Sequence, residues 1–209
     1  MNVLEIKKIC KKYDKELLNN FNLIVKKQEI VAICGKSGSG KSTLLNIIGL
    51  LEKADSGEII YFGKKKVNPF TREASELLRN KIGYLFQNFA LVENETVFYN
   101  LMIALAHVKV KNKRKLVSNA LKMVGLEGFE NKVIHQCSGG EQQRIAVARL
   151  LLKPCELILA DEPTGSLDDG NKEVIWELIM LLKQQCKTII IVTHDTFISQ
   201  KCDRSINIG

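Results

Sequence analysis

The 209-residue sequence lacks several features that mark other classes of protein. No apolar run approaches the roughly 18 to 20 residues of a membrane-spanning helix, so we expect no segment to cross a bilayer. Residues 1–8 have no apolar core of the kind found in signal peptides, so we expect the chain to stay in the cytosol. Six scattered cysteines form no CxxC pair, which indicates buried thiols in a reducing compartment and argues against a zinc site.

The composition is that of an ordinary globular protein, with 45% hydrophobic and 26% charged residues. The net charge of +8 comes largely from lysine clusters at 7–8, 11–12, 26–27, 64–66 and 109–115. Such clusters are found in proteins that bind nucleic acid or an anionic membrane surface. Because they are dispersed along the chain and have no adjacent set of aromatic residues, we favour the interpretation that they are solvated faces.

A glycine-rich stretch at residues 35–43 fits the pattern GxxxxGK[S/T]. The apolar run 29–34 before it predicts a buried strand, and the apolar residues that follow predict a helix, which is the context that a phosphate-binding loop requires. The glycines allow backbone N–H groups to converge on an anion, Lys41 can reach the β- and γ-phosphates, and Ser42 can bind Mg²⁺. The predicted nucleotide-binding residues of this loop are Gly35, Lys36, Ser37, Gly38, Ser39, Gly40, Lys41, Ser42 and Thr43.

Hydrophobic patterns predict strands at 4–9, 21–25, 58–62, 82–86, 157–160, 188–192 and 205–208, and a helix over 71–79. Between residues 88 and 136 helical spacing replaces strand patterns, which predicts an inserted helical lobe. Its predicted apolar faces contain Val97, Leu101 and Leu105, followed by Leu116, Ala120, Leu121 and Val124.

Two further motifs carry polar chemistry. Residues 138–141 have the S-x-x-E form of a capping box, and the helix that follows is predicted to end before Pro154. Glycines in a first helical turn cost helix propensity, so Gly139 and Gly140 indicate close approach of the backbone to another group. The strand 157–160 delivers Asp161 and Glu162 at its carboxyl end, where open α/β sheets bind ligands. In isolation such a pair is more often a cap or a surface pair, but a phosphate loop precedes it.

Together with Gln87 after an aromatic strand, Ser166-Leu167-Asp168 and His194, these motifs resemble the nucleotide-binding subunit of an ATP-binding-cassette (ABC) transporter over essentially the whole chain. The resemblance implies an α/β fold, a P-loop NTPase of the ABC type. It has a RecA-like core with an antiparallel β subdomain and an inserted helical subdomain. We therefore expect a single ABC ATPase domain, 1–209, with core and β subdomain at 1–87 and 154–209 and the helical lobe at about 88–153.

The resemblance also assigns catalytic and metal-binding roles. Glu162 is the expected general base for the attacking water, and His194 is expected to contact the γ-phosphate. Asp161, Ser42 and Gln87 are expected to hold Mg²⁺, with Gln87 also contacting the water. By itself, a lone histidine is usually structural and a strand-end glutamine is an ordinary amide, so both roles rest on position in the family's motif order.

Three more assignments follow from the family. Tyr13 lies where an aromatic residue stacks on adenine, although a strand-end tyrosine is commonly a packing residue. Asp168 belongs to the D-loop. Ser138, Gly139, Gly140 and Glu141 form the signature that caps the nucleotide held by a partner subunit, so we expect a homodimer that closes around two ATP.

Two signature positions depart from the family's broadest pattern. Cys137 stands where leucine is usual, which affects local packing, and Glu141 stands where glutamine is common. A carboxylate near a γ-phosphate should weaken dimer closure unless it turns back to cap its own helix. We therefore expect Glu141→Gln to leave turnover within a few fold, and loss of most ATPase activity would contradict the capping explanation.

The implied function is an ATPase, with ATP and Mg²⁺ as cofactors, that powers a separate membrane permease exporting peptide, lipoprotein or drug. The permease is expected to dock in a groove between the Gln87 region and the helical lobe, which would place the protein on the cytoplasmic face of the membrane. The motifs favour the lipoprotein, macrolide and bacteriocin export branch, with the Gram-positive bacteriocin-export group as the nearest likeness. The alternatives are a regulatory cassette acting on a membrane-coupled cell-wall process and a soluble nucleic-acid-associated ATPase. We expect no nucleic-acid partner, because such relatives usually have two cassettes or a long coiled coil.

Overall fold

The parallel sheet at the centre of the fold includes three strands that come from strongly apolar segments of the sequence, Ile30–Cys34, Leu157–Asp161 and Thr188–Thr193. The computed structural model describes residues 1–65, 67–164 and 169–208. Within these residues, eight strands form two sheets. We number them β1 (Asn2–Lys12), β2 (Glu16–Lys26), β3 (Ile30–Cys34), β4 (Ser56–Tyr61), β5 (Ile82–Leu85), β6 (Leu157–Asp161), β7 (Thr188–Thr193) and β8 (Arg204–Asn207).

Five strands form the parallel sheet in the order β5-β6-β7-β3-β8. Every residue of β7 is buried, as expected for a strand covered on both faces, and this explains its continuous apolar run. The register aligns Cys34 with Thr193 and Asp161 with Val192, so the carboxyl ends of β3, β6 and β7 meet at one edge. The segments that follow these strands contain the phosphate loop, Glu162 and His194.

The second sheet is antiparallel, with the order β2-β1-β4. Strand β2 begins at Glu16, five residues before the predicted start at 21. Asn19, Asn20 and Asn22 are exposed there, and Asn20 has a left-handed φ of 50°. This interrupted alternation hid the first half of the strand from sequence patterns.

Seven α-helices complete the described part of the chain: α1 (Lys41–Ile48), α2 (Arg72–Asn80), α3 (Val97–Ala104), α4 (Lys113–Met123), α5 (Gly139–Leu152), α6 (Asp169–Gln184) and α7 (Thr196–Lys201). The predicted helix at 71–79 is α2, with Thr71 as its N-cap. The helix predicted after residue 138 is α5, which ends at Leu152 as expected. None of the described helices is both long enough and apolar enough to cross a membrane.

One predicted apolar face is partly wrong. Leu116 was assigned to the buried stripe of α4, but it is 37% exposed. Val117 is fully buried in its place and joins Ala120, Leu121 and Val124. Both residues fit helical spacing with the rest of the stripe, so only the packing of α4 against α3 and α5 decides between them.

The two faces of the parallel sheet pack against different elements. Ile158 and Ala160 belong to a buried cluster that continues into α3, α4 and α5. The alternate residues Leu157 and Leu159 belong to a second cluster shared with α1 and the antiparallel sheet. The helices of the expected lobe therefore share a core with the sheet, while the division of the chain at 88 and 153 stays a prediction.

Candidate functional site

At two positions of the phosphate loop, only glycine fits the backbone without a clash or strain. A Cβ on Gly35 would lie 2.4 Å from the carbonyl oxygen of Ile208. Gly40 has φ of 90° and caps α1 without any side-chain hydrogen bond to the helix N-terminus. The Ser39 Oγ is buried without a hydrogen-bond partner among the described residues. These features leave polar groups of the loop and of the α1 N-terminus available to a ligand.

Lys41 is the first residue of α1 and is only 7% exposed. Its Nζ donates to the carbonyl oxygens of Gly35 at 2.8 Å and Lys36 at 3.0 Å. It also lies 3.9 Å from the Glu162 Oε1. A buried ammonium group is thus held between the loop backbone and a carboxylate, in the middle of the predicted phosphate site.

Glu162 follows β6 with a left-handed φ of 45°, which is strained for a residue with a side chain. Its Oε2 accepts hydrogen bonds from Thr193 Oγ1 at 3.0 Å and from the His194 backbone N–H at 3.2 Å. The His194 Nδ1 lies 2.9 Å from Oε1, within hydrogen-bond distance. Three groups at the end of β7 therefore fix this carboxylate.

Asp161 is the neighbouring carboxylate, and it faces α1. The Ser42 hydroxyl donates to its Oδ1 at 3.1 Å. Burial raises the pKa of Asp161, and the charge of Glu162 acts in the same direction, while the Ser42 hydrogen bond and Lys41 oppose them. A hydroxyl and a partly desolvated carboxylate in contact are a pair of hard oxygen donors of the kind that Mg²⁺ accepts.

Most of these groups, but not Asp161, line an open cleft of about 610 Å³. It is lined by Leu17, Ser37, Gly38, Gly40, Lys41, Ser42, Thr43, Gln87, Glu162 and His194. Most residues assigned from the sequence to nucleotide binding and catalysis thus lie around one cavity. Leu17 was not anticipated, because nothing in its sequence context distinguishes it from any other apolar strand residue.

A family model described as "ABC transporter" matches residues 18–165. This chain belongs to the ABC transporter family. The family predicted from the motif order is therefore confirmed. The ABC ATPase fold is also confirmed, with a parallel sheet and an antiparallel sheet in one chain.

Relatives with curated names agree with this family assignment. The chain is 37% identical over 215 residues to the macrolide export ATP-binding/permease protein MacB of Mannheimia succiniciproducens, covering all of this chain and 33% of MacB. It is 38% identical over 211 residues to the lipoprotein-releasing system ATP-binding protein LolD of Francisella tularensis, covering 97% of this chain and 91% of LolD. The chain thus spans about a third of the length of MacB. The names of these relatives confirm the predicted lipoprotein and macrolide branch.

A solved structure shares the fold along nearly the whole chain. The dimeric structure of a post-hydrolysis state of the ATP-binding cassette MJ0796, bound to ADP and Pi, has a TM-score of 0.88 and 37% sequence identity. The match covers 99% of this chain and 94% of that one.

The signature of this ABC cassette lies at the start of α5, and none of its four residues lines the cleft within the described chain. The predicted capping box is confirmed: Ser138 accepts from the Glu141 N–H at 3.3 Å, and the Ser138 N–H donates to Glu141 Oε2 at 2.7 Å. A Cβ on Gly139 would meet no atom within 4 Å. Contacts within the described chain therefore do not account for this glycine.

The residue predicted to bind adenine has its contacts away from this cleft. Tyr13 is not among the residues that line the cleft in the described structure. Its ring is 54% exposed, its hydroxyl donates to Glu52, and the Lys11 ammonium lies 4.9 Å from the ring centroid. Its role in binding adenine stays a prediction. Asp168 and the D-loop residues 166–167 lie outside the described residues.

A second cavity of about 560 Å³ lies on the cassette between the Gln87 region and the helical segment. Its apolar lining includes Tyr84 and Phe86, whose rings stack with centroids 4.0 Å apart. The cationic side chains Arg79, Arg149 and Lys153 lie around it, and its described lining contains no carboxylate. We call this cavity the docking groove. A cavity is present between the two regions where the sequence predicts that the permease docks, and the docking itself stays a prediction.

Proposed function

We propose that this chain is an ABC ATPase that binds ATP and Mg²⁺, closes as a dimer around the nucleotide, and drives a separate membrane permease by hydrolysis. The observation that carries the proposal is the arrangement of Glu162. The residue has a strained backbone, and its carboxylate is fixed by Thr193 and His194 at the edge of the cleft beside Lys41. A carboxylate fixed in this way suits a general base.

The cleft residues fit a nucleoside triphosphate. Its volume of about 610 Å³ is typical of a small-molecule site. The loop N–H groups and the α1 N-terminus supply positive potential, and Lys41 adds a formal charge. The unpartnered Ser39 hydroxyl gives a further polar contact within the loop. Polyphosphate satisfies all of these groups together.

Ser42 and Asp161 are the residues that fit Mg²⁺, with Gln87 close by on the lining of the cleft. Among the described residues no cluster of three or more His, Cys, Asp or Glu could hold a metal. Mg²⁺ commonly binds through one or two protein oxygens together with substrate phosphates, and the Ser42 hydroxyl and the Asp161 carboxylate supply such oxygens. When bound, the ion neutralises charge on the transferred phosphoryl group.

Hydrolysis in this site depends on positioning. Glu162 accepts a proton from the attacking water while its other contacts hold it in place. The His194 ring is within hydrogen-bond distance of Glu162 and lines the cleft, so it can orient the carboxylate and contact a bound phosphate. Lys41 stabilises charge on the phosphoryl oxygens. Each of these groups is already fixed by contacts within the chain, so little reorganisation is needed during the reaction.

The start of α5 completes the site from a second copy. Its first turn exposes N–H groups and the open space beside Gly139, which suits close approach of an anion. No residue of the signature lines the cleft of its own described chain. The related cassette MJ0796 is dimeric with ADP and Pi bound. We therefore assign the α5 N-terminus to the nucleotide of the partner chain.

The docking groove is the proposed contact with the permease. Its stacked aromatic floor and cationic rim fit an amphipathic helix that carries a carboxylate. The relatives bear names of macrolide export and lipoprotein release, so we assign the cargo to that class of lipoprotein, peptide or drug, and bacteriocin export stays a prediction within it. Binding through this groove would hold the chain at the membrane surface.

The decisive experiment replaces Glu162 with glutamine. Glu162→Gln should lower kcat for ATP hydrolysis by about 10²- to 10⁴-fold because it removes the base. Binding of ATP is retained, so light scattering after gel filtration should show a dimer in Mg-ATP and a monomer in ADP. Glu156→Gln, which changes a half-buried carboxylate that pairs with Lys81 just before β6, is the control. A Glu162→Gln protein that stays monomeric in saturating Mg-ATP, with or without its permease, would contradict the proposal.

A further inference from the structure

The carboxylate of Glu141 has a second partner besides the capping box. Its Oε2 accepts from the Ser138 N–H at 2.7 Å and from the Lys132 Nζ at 3.0 Å. Lys132 belongs to the segment that precedes α5, and its ammonium also lies 4.4 Å from the centroid of the Phe129 ring. The lysine is thus anchored independently of the helix whose first turn it contacts.

The charge of Glu141 bears directly on an anion at this helix end. Partial burial raises the pKa of Glu141, but the hydrogen bonds from Ser138 and Lys132 outweigh burial and bring it below its ordinary value. The carboxylate is therefore ionised at neutral pH. Its negative charge lies in the same helical turn as the N–H groups that the phosphate needs, and like charges at this range repel. The Lys132 ammonium is the positive charge that offsets it.

We propose that Lys132 is a positioning residue for the reaction: it neutralises Glu141 and holds its carboxylate on the cap, so that the α5 N-terminus can receive the terminal phosphate bound by the partner chain. This inference rests on the proposed function. The ion pair of Lys132 with Glu141 explains how the signature tolerates a carboxylate. The capping box orients Glu141, and the lysine cancels the charge that the capping box leaves in place.

The test measures the ATP concentration that gives half-maximal dimer, by analytical ultracentrifugation, in Glu162→Gln protein. Lys132→Met should raise that concentration about tenfold, the size expected for one uncompensated unit charge near phosphate at a protein surface. Lys132→Arg keeps the charge and should stay within about twofold. Lys122→Met is the matched control, since it removes a lysine that pairs with Glu127 at 3.6 Å on the surface.

A double variant separates charge from structure. Adding Glu141→Gln to Lys132→Met should bring the ATP requirement back to within about twofold of Glu141→Gln alone, because the charge that Lys132 offsets is then absent. With Glu162 intact, Lys132→Met should raise KM for ATP more than it lowers kcat. Higher salt should shrink the difference from the parent protein. Thermal melts of each variant show whether the proteins are folded.

The outcomes that overturn the inference are distinct from failure of the proposed function. If the Glu162→Gln parent does not dimerise with ATP, the proposed function and this inference are both wrong. If the parent dimerises but Lys132→Met shifts the ATP requirement no more than Lys122→Met does, only the role of Lys132 is overturned. The same holds if Lys132→Met has its full effect in the Glu141→Gln background, since Lys132 then acts through another group.

Discussion

The phosphate cleft and the docking groove are alike in size, at about 610 and 560 Å³, but opposite in construction. In the cleft, the charged groups contact one another: Lys41 lies beside Glu162, and Glu162 is bonded to His194. In the groove, aromatic and aliphatic side chains form the floor and cations lie around it. The first holds polar groups that are fixed by one another, and the second is the surface that we propose for the permease.

The groove still has one fixed wall. Arg149 donates to the carbonyl oxygens of Phe89 and Ala90, two consecutive residues with left-handed φ of 60° and 47°. Burial lowers the pKa of this guanidinium. The arginine thereby supports a strained turn that begins directly after Gln87.

The two cavities also share a connection. The Tyr84 hydroxyl donates to Asn46 Oδ1 at 2.8 Å, and Asn46 lies on α1 one turn after Ser42. The Tyr84 ring meanwhile lines the groove. A ligand that displaces this ring would therefore act on the helix that begins at the phosphate loop. The two cavities thus differ in how they are built, and the Tyr84–Asn46 hydrogen bond joins the groove to the helix that begins at the phosphate loop.

The largest expected effect breaks the cleft. Lys41→Met removes the one ammonium group that is buried among the loop carbonyls, so kcat/KM for ATP should fall about 10²- to 10³-fold. A steady-state phosphate-release assay measures the loss. Lys53→Met, at an exposed lysine beyond the same helix, is the control. Activity within a few fold of the unmodified protein would mean that the cleft is not the phosphate site.

A smaller effect is expected in the groove. Ile103→Glu places a negative charge on the wall formed by α3 and should reduce capture of the chain by membranes that carry its permease roughly tenfold. Tyr99→Glu is a matched control, since Tyr99 is 48% and Ile103 47% exposed on the same helix, and Tyr99 does not line the described groove. Nucleotide affinity of the isolated chain should change less than threefold in both. Equal losses of capture would place the contact outside the groove.

The same contrast separates what the sequence predicts from what it does not. The phosphate loop, Asp161, Glu162 and His194 each follow an apolar strand, and parallel strands bring their carboxyl ends to one edge. The sequence therefore predicts that they lie together, while the roles of the two carboxylates and of His194 come from the family's motif order. Local pattern and fold agree there.

Contacts between distant segments could not be found in this way. The spacing of α4 allowed Leu116 or Val117 in the core, and only its neighbours exclude Leu116. The ion pair of Lys132 with Glu141 depends on how the loop before α5 folds back. Lysines are frequent throughout the chain, so nothing marks this one out.

The smallest expected effect concerns the folding stability that is lost because Asp161 is partly buried. The pKa of Asp161 is raised above its ordinary value of 3.8, mainly by burial, so folding favours the protonated form. The contribution of Asp161 to the folding stability is therefore fully present below pH 3.8 and is lost as the pH rises through the pKa of Asp161 in the folded protein. Asp161→Asn keeps an acceptor for Ser42 and should raise the Tm at pH 7 by about 2 °C, a gain that shrinks as pH falls towards 4. Calorimetry without Mg²⁺ measures it, with exposed Asp14→Asn as control. A rise in Tm that does not depend on pH would show that the charge of Asp161 does not lower the folding stability.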